Sequence, residues 1–275
     1  MKWRSNKNRP TYRTMVPFLA AGETMTDEEY EIWYDQNSVD LTNLEGLEVV
    51  EDISTLQWLG DAMGKGGGSA LISVPEGYEA YGRIFFPFEN GEFRTDDPTS
   101  YEYRYRSWAE VALSNNKIPH ALMQSASIST ERDGRLVSSG PDSTFGSDLI
   151  AELSKFTSKP SATTFLIWEG YGNINRKTSA RLPLLELPLG RRCFALTGHS
   201  DHFVRPPIRI QLCTPSDRAW CYGSDTDLDY GYVACSQECL DAMRENDSIE
   251  IYQIDPAAMI WHDSDVINSQ MGTTD

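Results

Sequence analysis

The sequence has no apolar run approaching the roughly 18 to 20 residues that cross a bilayer, which excludes a membrane-spanning helix. Cysteine is scarce and odd in number, five in 275 residues, which excludes a disulfide scaffold. Histidine is scarcer still, at four. The patterns G-x-S-x-G, H-E-x-x-H and G-x-G-x-x-G are missing, so three familiar routes to chemistry have no local support. Positive charge is short as well: 24 Lys and Arg against 41 Asp and Glu leave a net −17. A body of that sign repels phosphate backbones, which argues against nucleic acid as the main ligand. What is present is apolar and aromatic: 40% hydrophobic residues, with 7 Trp, 13 Tyr and 10 Phe. That suffices for a buried core in one large domain or two ordinary ones, and excludes disorder as the chain's main state.

The charge is unevenly placed. Lys2, Arg4, Lys7, Arg9 and Arg13 form a basic arm with no acid before Glu23. From Glu23 to Gly64 the chain carries Glu23, Asp27, Glu28, Glu29, Glu31, Asp35, Asp40, Glu45, Glu48, Glu51, Asp52 and Asp61, and no Lys or Arg. Such a block either solvates the surface or steers a basic partner by long-range attraction. The apolar piece Met15–Gly22 is short, holds Pro17 and runs into Glu23, which is poor for a signal peptide. The expected compartment is the cytoplasm, with reduced thiols.

Thr26-Asp27-Glu28-Glu29 is a capping box that opens a helix. Leu41 to Leu59 reads as helical or mixed. Gly64-Lys65-Gly66-Gly67-Gly68-Ser69 is a flexible joint whose spacing does not match a phosphate-binding loop. The expected division is therefore 1–68, a basic arm and acidic helical region, and 69–275, the main domain. Strands are expected at Ser69–Val74, Tyr81–Phe88, Tyr101–Arg106, Thr163–Trp168, Arg192–Thr197, Ile208–Cys213, Ala219–Tyr222 and Ile249–Ile254. Helices are expected from Ser107, from Ser147-Asp148, over Gln237–Glu245 and after Asp255-Pro256. That order predicts an α+β fold with a mixed, mainly antiparallel sheet.

Four segments carry a resemblance. They are Tyr81–Pro87, Trp108–Ala112, Leu166–Gly172, and Asp217–Cys221 with Asp225–Asp229. Together they resemble an uncharacterised family of soluble bacterial proteins of actinomycete type, over about residues 74 to 256. The resemblance implies a bacterial or phage cytoplasmic origin and supplies no mechanism and no catalytic residues. The chain departs from the family at Tyr232-Val233-Ala234-Cys235-Ser236, where glycines are expected before the serine.

Three constellations bear on chemistry. Cys213, Cys221, Cys235 and Cys239 lie near His199 and His202 in sequence, but Cys213 and Cys221 are too far apart for one zinc knuckle. Buried thiols are the expectation, with no metal and no cofactor. Asp225, Asp227 and Asp229 open like a calcium loop, but Tyr230 stands where glycine belongs and Ser236 where glutamate belongs. Glu169 ends the strongest strand before Gly170 and Gly172, and Asp225 and Asp227 follow another. If those ends adjoin, they supply a paired acid and base for hydrolysis, with Arg83 or Arg218 to hold an anion. Trp108, Trp168, Tyr171 and Trp220 can line a pocket or fill the core. His120 and His262 stand alone and read as surface residues.

The leading expectation is a protein that acts by protein–protein contact through an acidic face that includes Asp27, Glu28, Glu29 and Glu31. Immunity, antitoxin or anti-defence roles use that chemistry. The alternatives are a hydrolase with a carboxylate-lined cleft at Glu169, Asp225 and Asp227, and a small-molecule or metal sensor.

Overall fold

Thr163–Trp168 (β6) alternates Phe165 and Ile167 with Leu166 and Trp168, and both sets are apolar. A strand of that composition must be covered on both faces. The computed structural model supplies both covers. It describes residues 26–64, 68–93, 101–130, 137–138, 143–158, 162–204, 209–225, 227–261 and 263–270. The basic arm, Glu23, residues 65–67 of the glycine run, Thr226 and His262 lie outside the described residues, as does the Asp27 side chain.

Among the described residues, nine strands form one sheet in which every pairing is antiparallel. The other strands are Leu47–Val49 (β1), Ala80–Phe85 (β2), Leu185–Leu187 (β7), Arg191–Gly198 (β8), Leu212–Pro215 (β9), Cys221–Ser224 (β10), Tyr230–Cys235 (β11) and Ile251–Gln253 (β12). Their spatial order is β1-β8-β6-β9-β10-β11-β2-β12, with β7 beside β1 on the outer side of β8. A second, three-stranded antiparallel sheet joins Tyr101–Arg106 (β4), Phe88–Phe93 (β3) and Val137–Ser138 (β5). The fold is α+β.

One face of the large sheet presents Leu166, Cys193, Leu212, Cys221, Tyr81, Phe85 and Tyr232. It is covered by Gln57–Ala62 (α2), Trp108–Ser114 (α3) and Ser125–Ile128 (α4), through Leu59, Trp108, Val111 and Ile128. The other face presents Phe165, Cys213, Tyr222, Val233 and Ile251 to Ser143–Ser154 (α5) and Gln237–Glu245 (α7). Each fully buried Leu, Ile or Phe in these layers stabilises the fold by roughly 1.5–3 kcal/mol relative to exposure. Described residues on both sides of the glycine run join this arrangement. β1 precedes it and pairs with β8, and Leu56, Leu59 and Met63 share a core with strands that follow it.

Asp27–Asn37 (α1) begins at the Thr26 capping box, closed on Glu29. Tyr34 anchors it by donating its hydroxyl to the Ile174 carbonyl, and Val39 bridges to Ile174. Three expectations need correction. Ser69–Val74 is not a strand; Ala70–Ile72 is a single 3-10 turn, and the Ser73 carbonyl presses on β10. Asp255-Pro256 does not open a helix. The Asp255 carboxylate and carbonyl accept Ala257 and Ala258 amides in one turn, and the terminal helix is Val266–Gln270 (α8). His120 is not a lone surface residue, as its hydrogen bond to Asp265 shows.

Candidate functional site

The ends of β6 and β10 and the start of β8 lie at the same end of the large sheet, because β6 runs antiparallel to both β8 and β9, and β9 to β10. Glu169 therefore sits beside Arg192, and Asp225 beside Arg191. The Arg192 Nε donates to Glu169 Oε1 at 2.5 Å, and the Glu169 amide donates to the Arg192 carbonyl at 3.0 Å. Arg191 donates to Asp225 Oδ1 at 2.9 Å and lies 3.6 Å from an Asp227 oxygen. Its guanidinium stacks 4.4 Å from the Trp168 ring, and Tyr171 meets that ring edge-on. The expected carboxylates thus share one rim, but as two carboxylate–guanidinium pairs. A shared-proton dyad needs two carboxylates facing each other, which this arrangement does not supply. The cations are Arg191 and Arg192. The turn Asp225–Asp229 also serves the backbone, with Asp225 accepting the Asp227 amide. Asp229 is half-buried, and burial pushes its carboxyl up against the opposing pull of Arg209.

The other residues singled out in the sequence lie elsewhere. Arg218 sits in the β9–β10 hairpin at the opposite end of the sheet, stacked 4.1 Å from Trp58. Trp220 is fully buried and donates to Thr157 Oγ1. Trp108 is fully buried, stacked on Phe88, and donates to the Phe86 carbonyl. Arg83 is fully buried in the middle of β2. All five cysteines are free and buried. Burial pushes the Cys193 thiol up to about 12, and Cys213 and Cys221 well above the usual range. Such thiols are poor nucleophiles and poor ligands. Among the described residues, no three His, Cys, Asp or Glu side chains group so as to hold a metal ion.

One pocket at the β12 edge escapes a reading of the sequence. It has a volume of about 260 Å³ and is walled by Phe85, Tyr105 and Phe145, with Glu110, Asp247 and Glu250. Glu250 accepts the Trp108 and Ala109 amides at 2.6 and 2.8 Å, so it caps α3 from just before β12. Burial nevertheless outweighs those two donors, and with Glu110 nearby it pushes the Glu250 carboxyl up to about 7. In the sequence Glu250 is only the polar member between Ile249 and Ile251. Its burial depends on α3, more than 130 residues earlier in the chain.

A second polar knot ties α4 to α8. Asp265 accepts the Ser127 hydroxyl, the Asn268 amide and side chain, and the His120 Nε2 at 2.8 Å. Burial pushes its carboxyl up, but Ser127, Asn268 and His120 outweigh that and hold it low. The His120 Nδ1 accepts the Leu122 amide. The carboxylate stands between the hydroxyl and the imidazole, so the imidazole does not reach Ser127 as a nucleophile's base would.

Comparison with protein-family models, with curated proteins and with solved structures finds no match. Function must then be argued from the side chains themselves.

Proposed function

We propose that the protein binds a basic protein partner through the acidic surface formed by α1 and the segment Glu45–Asp61. The observation that carries this reading is how little the fold uses these charges. Glu28, Glu29, Glu31, Asp35, Glu45, Glu48, Glu51, Asp52 and Asp61 are all exposed. Glu29 closes a capping box, and Asp40 and Asp52 cap 3-10 turns. Among the described residues only Lys177 pairs with the block, through Glu31 and Asp35. Glu28, Glu45, Glu48, Glu51 and Asp61 take no part in the caps or in that pair. Unneutralised charge repels itself in the folded state, and a cationic partner relieves it. An immunity, antitoxin or anti-defence role is one form of this reading, and the resemblance over residues 74 to 256 gives it a bacterial setting.

Poly-L-lysine serves as a defined basic probe. Replacing Glu28, Glu45, Glu48 and Glu51 by Gln should weaken its binding about tenfold at low salt. Replacing the equally exposed Glu76, Glu186, Glu238 and Glu245 should change it far less. Equal losses in the two sets would mean that net charge alone attracts the probe, and would overturn the reading.

A further inference from the structure

Arg83 is a buried charged side chain with no counterion in contact among the described residues. It stands opposite Tyr232 on β11 and Tyr252 on β12, on the face that carries Tyr81 and Phe85. Its Cζ lies 3.7 Å from the centre of the Tyr230 ring and 4.6 Å from that of Phe85. Nη1 donates to the Ala121 carbonyl at 2.8 Å and the Met123 carbonyl at 3.1 Å. Nε and Nη2 are equally buried and meet no acceptor in good hydrogen-bond geometry, although the Tyr230 hydroxyl also interacts with the guanidinium. Asp265 is the acid whose field reaches Arg83, but its oxygens are engaged by Ser127, Asn268, His120 and Gln124.

A guanidinium taken out of water keeps its full desolvation penalty unless its donors are met. Two carbonyls and two ring faces offset part of it. The unmet donors are not a random pair. Nε–H and Nη2–H are parallel and lie on one edge of the guanidinium, the edge that holds two oxygens of one oxyanion. The carbonyls on Nη1 fix that edge in place. The surroundings select among oxyanions. One positive charge balances a monoanion and not a dianion. The neighbouring Phe85, Tyr230, Tyr232 and Tyr252 suit a ligand whose remainder is apolar.

We propose that Arg83 is the receptor of a small-molecule site, holding a small organic monocarboxylate two-toothed on its Nε–Nη2 edge. The site is separate from the acidic surface and does not depend on it. Arg83 is fully buried, so exchange requires movement of the chain packed around it, and binding should be slow to equilibrate.

The test uses the full chain, dialysed free of carboxylates, with acetate, propionate and phosphate titrated at constant ionic strength against chloride. Wild-type protein should show a saturable rise in melting temperature with acetate or propionate and none with chloride. R83M should lose the response, and R83K should weaken it at least tenfold, because an ammonium has no bidentate edge. A response to phosphate alone, an equal response in R83M, or no response to either carboxylate would overturn the proposal. Should R83M fail to fold, R83K and the wild-type protein decide. Protein purified without dialysis should release about one equivalent of an organic acid on denaturation, and release of none, with R83K responding like wild type, would likewise overturn it.

Discussion

Glu250 is held by two backbone donors at the start of α3, yet its carboxyl is pushed up to about 7 from the usual 4.5 because it is largely buried. The folded state thus holds a proton there that the unfolded chain gives up. Stability from this group is fully present below about pH 4.5 and is lost as pH rises towards 7. The loss is on the order of 3 kcal/mol. Glu250→Gln keeps the neutral shape and one acceptor, so it should flatten thermal stability between pH 5 and 7 and cost about 1 kcal/mol at pH 5. Denaturant melts of both proteins across that range check the slope. A variant with the wild-type slope would show that Glu250 stays ionised throughout. No local pattern marks this residue, since its burial comes from packing between elements far apart in sequence.

At the scale of elements, α1 was readable in the sequence because its start is a local signal, Thr26 with Glu29; α7 was read as a helix, and the structure adds its cap, Ser236 accepting the Cys239 amide. The strand at Thr163–Trp168 was readable because six β-branched or large apolar residues permit little else. The segment Ser69–Val74 was not, because its conformation is dictated by what it touches. A Cβ on Gly223 of β10 would lie 1.9 Å from the Ser73 carbonyl oxygen. That oxygen belongs to backbone and cannot swing aside, so the two segments fit only with glycine there. Gly223→Ala should therefore force them apart, at a cost of about 3 kcal/mol or more. For a chain of this size that lowers the melting temperature by roughly 6–12 °C. Gly172, with nothing near its missing Cβ, is the control, and Gly172→Ala should leave the midpoint within about 2 °C. The candidate rim followed the same division. That Glu169 and Asp225 sit at strand ends was readable; that Arg191 and Arg192 meet them was not, because the order β8-β6-β9-β10 is set by non-local pairing.

For the whole molecule the net charge of −17 acts on folding and on binding with opposite signs. Within the fold it is self-repulsion, spread over a surface where most acids of the Glu23–Gly64 block face water. Raising sodium chloride from 20 to 200 mM shortens the screening length from roughly 20 Å to roughly 7 Å, which damps the repulsion among these charges. Screening should therefore raise the melting temperature, by roughly 2–5 °C if it recovers about 1 kcal/mol. The same change should weaken poly-L-lysine binding at least tenfold, because the attraction is carried by the charges being screened. Lowering the pH from 7 to 5 also reduces repulsion, which overlaps with the Glu250 effect. Glu250→Gln separates the two: the part of the pH slope that survives in the variant, and shrinks in 200 mM salt, belongs to the surface as a whole. If the melting temperature instead fell with salt, attraction within the chain would outweigh repulsion. The acidic surface would then be satisfied internally, and it would have little left to offer a basic partner.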